Sequence, residues 1–136
     1  LEVVKTNNGI ERIINFITKH VKSKKGGEAA IAFLVTTINF CTANNTVAII
    51  TVGPIVKQIA EKFNIAPQRA ASLLDTFSCF AQGIIPYGAQ LLMAAGLTTI
   101  SPIEIIPYLY YPFAIGIIGT IAIITGLPKK YTRRTT

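Results

Sequence analysis

Charge is scarce in this chain of 136 residues: charged side chains make up 14% of it and hydrophobic ones 51%. A soluble domain carries roughly 25% charge. A globule this small has much surface and too few polar groups here to cover it, so an ordinary soluble domain is excluded and lipid is the simpler solvent. Nothing interleaves basic with aromatic residues as base-stacking surfaces do, so the net charge of +7 does not point to nucleic acid. Histidine is reduced to His20, among lysines. The two cysteines, Cys41 and Cys79, stand in apolar segments without CxxC or Cys/His spacing. They are expected as buried small hydrophobes, with no metal centre or cofactor. No nucleophile–base set supports an enzyme. The start at Leu1 has no signal-peptide pattern, and the length is short for the repeated bundles of secondary transporters. The chain is therefore expected to be the C-terminal part of a longer membrane domain, with the N-terminal portion and the bilayer as its partners.

What is present is a set of apolar segments bordered by basic ones. Every Lys and Arg falls within 5–25, 57–69 or 129–134. Residues 10–21 place Ile10, Ile13, Ile14, Ile17 and Val21 on one helical face and Glu11, Arg12, Thr18 and Lys19 on the other, an amphipathic interfacial helix. Residues 28–60 exceed the ~20 needed for one span. They carry Thr42-Ala43-Asn44-Asn45-Thr46 between the apolar runs 29–41 and 47–56. Adjacent asparagines favour a turn, which predicts a re-entrant helical hairpin with its tip there. Residues 70–95 are a second spanning segment, interrupted at 82–88 by Pro86 between Gly83 and Gly88, hence a discontinuous transmembrane helix. Residues 102–125 are the final transmembrane helix, opened by a capping box at Ser101-Pro102-Ile103-Glu104 and stopped by Gly126-Leu127-Pro128. Tyr108, Tyr110 and Tyr111 suit an interfacial belt. Residues 126–136 form a basic cytoplasmic tail. The fold expected is all-α and integral to the membrane. A single crossing at 28–60 would divide the thirteen basic residues almost evenly between two sides. A hairpin puts all of them on one side, as the positive-inside rule favours.

The two interruptions are the candidates for chemistry. Asn44, Asn45 and Thr46 at the tip, with carbonyls freed at 82–88, would offer hard oxygen ligands suited to dehydrated Na⁺; transporters commonly bind at the midplane on broken helices. Asp75 is the only acidic residue within 70–95. A carboxylate at mid-membrane costs roughly 2.5–3.5 kcal/mol and so faces a cavity or a partner. Two uses of it stay open, a group that exchanges a proton for a cation, or a partner of Arg69. Ser78 lies one turn from Asp75, Gln82 and Gln90 flank the break, and Tyr87 lies in it; each could line a cavity or bond between helices. Glu28 and Glu104 fall in expected first turns, where a carboxylate complements the helix dipole. Thr36, Thr37 and Asn39 could line the hairpin arm.

Over residues 9–125 the sequence resembles the NhaC-type sodium/proton antiporter family of the ion-transporter superfamily. The likeness is carried by Thr42-Ala43-Asn44-Asn45-Thr46-Val47-Ala48-Ile49, Gly53-Pro54-Ile55, Ala71-Ser72-Leu73-Leu74-Asp75, Phe77-Ser78-Cys79 and Gln82-Gly83-Ile84-Ile85-Pro86-Tyr87-Gly88-Ala89-Gln90. The resemblance implies a multi-pass antiporter in the inner membrane of a prokaryote, its C-terminus cytoplasmic, exchanging Na⁺ for H⁺. It also implies re-entrant hairpins with Asn/Thr tips beside broken helices. Relatives assigned to small organic anions, such as malate against lactate, leave an organic-acid or amino-acid exchanger coupled to Na⁺ or H⁺ as the alternative. A non-transporting membrane scaffold is a third class, disfavoured by two costly breaks. A homo-oligomer is compatible with the sequence, which is silent on stoichiometry.

Overall fold

The computed structural model describes Val21 and residues 23–126. The expected interfacial helix, apart from Val21, and the basic tail beyond Gly126 lie outside the described residues. Among the described residues all regular structure is helical: α1 (Lys24–Thr42), α2 (Asn45–Lys62), α3 (Pro67–Ile84), α4 (Ala89–Thr98), α5 (Pro102–Ile105), a 3-10 turn (Ile106–Tyr108) and α6 (Tyr110–Thr125).

Helix α1 starts where the Ser23 side chain accepts from the Gly26 amide, and it ends at Ala43 in the left-handed region, φ 48°. Asn44 then caps α2, its Oδ1 accepting from the Val47 amide at 3.1 Å. The reversal thus needs only Ala43 and Asn44, because the asparagine side chain satisfies an orphan amide that an apolar side chain would leave bare. Pro54 lies inside α2 on an exposed face, and the helix continues through it. The hairpin is longer at both ends than 28–60, since Lys24 and Lys62 remain helical.

Proline at the first position starts α3, and α3 stops before Ile85. Pro86 cannot donate, and a turn from the Gly88 amide to the Ile85 carbonyl, 3.0 Å, leads into α4. The break is narrower than 82–88, because Gln82 and Gly83 stay in the last turn of α3. The expected span 102–125 is not one helix. Leu109 leaves the helical region (ψ 65°), and the ladder restarts at Tyr110. Pro107 and Pro112 each lack the N–H that would carry a helix through this stretch. Nor does the capping box form, since Ser101 makes no side-chain cap bond. No single described helix is long and apolar enough to cross a membrane; the pair Pro67–Thr98 and Pro102–Tyr108, bent by 100°, together meets that length and composition.

The contacts fix the orientation of the bundle. Glu28 and Arg69 meet near the start of α1 and α3, and Asn39 and Ser78 meet toward their ends, so these helices run parallel. Between them lies a core that includes Ile31, Val35, Val52, Val56, Ile59, Leu73 and Phe77. Helix α6 runs antiparallel along α3, with Gly83 against Pro112, Gly116 against the Phe80 ring, and the Arg69 guanidinium on the Ala122 carbonyl. A Cβ at Gly116 would lie 2.6 Å from the Phe80 ring, so only glycine permits this approach. Close contact through small residues is how helices associate in lipid. The far face of α6 leaves Ile117, Ile118, Ile121 and Ile124 more than half exposed, with Tyr108, Tyr110 and Tyr111 above 70%. Such an apolar surface needs a cover of lipid or protein.

Two expectations of burial and charge are corrected. Cys41 and Cys79 are exposed on this chain rather than buried. Glu28 is not in a first turn, because α1 begins at Lys24 and carries no acid there. It is buried against Arg69, with Nη2 to Oε2 at 3.0 Å and Nε to Oε1 at 3.3 Å. Arg69 is therefore engaged by Glu28 and by the Ala122 carbonyl of α6.

Candidate functional site

Two of the chain's interruptions come together in the bundle, the α1–α2 turn and the α3–α4 break. The hairpin turn at Ala43 and Asn44 meets the last turns of α3, and the α3–α4 break meets the end of α1. The Tyr87 hydroxyl donates to the Phe40 carbonyl, one of the acceptors that the end of α1 leaves without a helical partner. Asn45 Oδ1 accepts from the Ser78 hydroxyl, and Asn45 Nδ2 lies 3.8 Å from Cys79 Sγ. Two helix C-termini, of α1 and α3, and two N-termini, of α2 and α4, thus converge. The convergence follows from local chemistry: the Asn cap forces one reversal, and Pro86 forces the other interruption.

Beside it is a cavity of ≈ 680 Å³ lined by Asn44, Asn45, Cys79, Gln82, Gly83, Ala89, Gln90 and Leu91, and closed by Tyr111, Pro112 and Ile115 of the α6 region. A second cavity, ≈ 480 Å³, lies between α3 and α6 and is lined by Arg69, Ser72, Asp75, Thr76 and Cys79. Cys79, Tyr111 and Ile115 line both, so the two adjoin.

The anticipated site residues divide between these places. Asn44, Asn45, Gln82 and Gln90 line the larger cavity. The Asn44 oxygen is already engaged in capping. Thr46 is exposed and lines neither cavity. Ser78 is fully buried at the contact between tip and α3, whereas Asp75, one turn earlier, is exposed toward the second cavity; they do not share a face. Cys79 Sγ, 3.9 Å from Asp75 Oδ1, stands between that carboxylate and the tip. Tyr87 ties the break to α1 rather than lining the larger cavity.

One residue has more weight than its sequence reading gave it. Asn39, fully buried, donates through Nδ2 to the Ser78 carbonyl at 3.0 Å and to Ser78 Oγ at 2.7 Å. Its signal was in the helical spacing: Glu28, Ile31, Val35 and Asn39 share one stripe of α1, and all four are buried. Polar residues at both ends of an otherwise apolar stripe mark partners across the interface.

Among the described residues no three of His, Cys, Asp or Glu gather as a metal cluster. What the site offers is neutral oxygen: two amides from the hairpin, a hydroxyl and an amide from α3, and backbone at the break. Such donors match hard cations.

The model of the Na+/H+ antiporter family matches residues 2–128. No curated protein and no solved structure matches the chain.

Proposed function

The chain belongs to the Na⁺/H⁺ antiporter family, a family of membrane transporters rather than enzymes, and from that premise we propose that the hairpin tip and the end of α3 form its cation site. In this reading the subtype is NhaC-like, and the cytoplasmic membrane of a prokaryote is its place. The chain joins an N-terminal portion of the same transporter to complete the domain. The observation that carries the site is the meeting of the Asn45 side chain with Ser78 beside a cavity at two helix interruptions. Unpaired backbone is tolerated in a membrane only against protein or a cavity, and here both breaks have the same neighbour.

The hairpin is read as re-entrant. The five described basic residues, Lys24, Lys25, Lys57, Lys62 and Arg69, all lie toward the end of the bundle away from the tip. The apolar run Val47–Val56 of α2 rises about 15 Å, half of the ~30 Å hydrocarbon core. That depth brings the tip to the midplane, with the basic end and the C-terminus cytoplasmic. Asp75 serves as the titrating group, reached through the second cavity and joined to the tip by Cys79. Na⁺ held at the tip and a proton held at Asp75 then compete through shared contacts.

The test is Na⁺-driven proton movement in inverted vesicles carrying the full-length protein. Asn45→Ala is expected to raise the Na⁺ concentration needed, and Asp75→Asn to flatten the pH profile. Unchanged Na⁺ dependence and pH profile in both would remove the site assignment.

A second reading has one observation in its favour. The N-terminus of α4 has no side-chain cap, and Ala89, Gln90 and Leu91 there line the larger cavity. Free amides of this kind suit a carboxylate, so an exchanger of small organic anions or amino acids coupled to Na⁺ or H⁺ is the alternative. Uptake of labelled malate, lactate or amino acids by proteoliposomes separates the two.

A further inference from the structure

Two buried oxygens at the meeting of hairpin and α3 have no hydrogen-bond partner: Asn39 Oδ1 and Gln82 Oε1. Asn39 is fully buried and Gln82 is 8% exposed. The orientation of the Asn39 amide is not free. The Ser78 carbonyl can only accept, so Nδ2 must face it, which leaves Oδ1 as the orphan. Gln82 follows Ser78 by one helical turn, on the same face of α3. A buried acceptor without a partner costs about 1–3 kcal/mol, and each such group calls for a ligand, an ion or a water.

Around these orphans the remaining oxygens have capacity to spare. Asn45 Oδ1 accepts one bond, from Ser78, and Ser78 Oγ accepts one, from Asn39 Nδ2, so each keeps an acceptor position. The hydroxyl of Ser78 thus holds the two hairpin amides in one cluster, with Gln82 a turn further along. Asp75, the nearest carboxylate in sequence, is exposed toward the other cavity.

We propose that Asn39 and Gln82, with Asn45 and Ser78, form a wholly neutral oxygen site for a monovalent cation, and that Asp75 is not among its ligands. The proposal rests on the cation-transport reading above and specifies that reading's ligands. Asn39 lies in the arm rather than the tip. A site without carboxylates cannot offset a double charge, so it discriminates against divalent cations by electrostatics. The cation and the proton then occupy separate places, one on each side of α3.

The experiment uses the full-length transporter in proteoliposomes, with Na⁺ transport followed over a range of NaCl and thermal unfolding compared in NaCl and choline chloride. Gln82→Met keeps the length of the side chain and removes the oxygen; Asn39→Ser shortens the other ligand. Each is expected to raise the apparent KM for Na⁺ by at least about tenfold, the scale on which altering a metal-site contact lowers affinity. Each is also expected to reduce the rise in unfolding temperature that Na⁺ gives over choline, while Asp75→Asn retains that rise. If Asn39→Ser fails to fold, Gln82→Met decides alone. Wild-type KM and wild-type Na⁺ stabilisation in Gln82→Met, with transport intact, would overturn the proposal and leave antiport standing. Wild-type protein that neither transports Na⁺ nor is stabilised by it would overturn both.

Discussion

At the scale of single residues, the firmest electrostatic feature is Arg69, which is 5% exposed and held by Glu28 and the Ala122 carbonyl. Removing one partner of a buried pair strands the other charge, at a cost of about 3–5 kcal/mol. Arg69→Met is therefore expected to lower thermal stability in detergent sharply, and Arg69→Met with Glu28→Leu to recover part of the loss. A double variant no better than the single would show that packing, not charge, is what Arg69 supplies. Ala43 points the other way. It holds a left-handed conformation at φ 48°, which costs a residue with a Cβ roughly 1–2 kcal/mol. Ala43→Gly is expected to raise the unfolding temperature; a fall would mean that the turn is not strained. Neither partnership was legible in the sequence, because Glu28 and Arg69 are 41 positions apart and Asn39 and Ser78 are 39 apart. The helical stripe of α1 marked Glu28 and Asn39 as inward-facing, but no local pattern names a partner on another helix.

At the scale of elements, the interruptions that rest on local chemistry were readable. Asn44 caps its own helix, and Pro86 with Gly88 stops and restarts the chain within four residues. The segment 102–125 was misread for an equally local reason: its apolar composition outweighed Pro107 and Pro112, whose missing donors divide it at Leu109. The α3–α6 contact is a tertiary feature with a sharp test. Gly116→Ala places a methyl group against the Phe80 ring and is expected to destabilise by roughly 1–3 kcal/mol, as overpacking does. Thermal unfolding indistinguishable from wild type would mean that α6 can shift away from α3. Topology is tested by cysteine labelling after Cys41 and Cys79 have been replaced. Cysteines at Ser23 and Gln68 are expected to label from the same side, and at Thr99 from the opposite one. Labelling of Ser23 and Gln68 from opposite sides would replace the re-entrant hairpin with a simple span.

At the scale of the whole molecule, composition pointed to a membrane protein, and the family match places the chain in the Na⁺/H⁺ antiporter family. The structure adds a division of labour along the bundle. Ion pairing and the described basic side chains lie at one end, and neutral oxygens with two interrupted helices lie at the other. An anchor would gain nothing from this arrangement; in the proposed reading a carrier gains a buried place for a cation, with the Asp75 carboxylate on the adjoining cavity. The most direct measurement is uptake of radiolabelled Na⁺ into proteoliposomes containing the full-length protein, driven by an imposed outward proton gradient. The expected result is accumulation that collapses when the gradient is dissipated and that requires more Na⁺ when Asn45 is alanine. Uptake indifferent to the proton gradient, or equal in wild type and Asn45→Ala at every Na⁺ concentration, would contradict it.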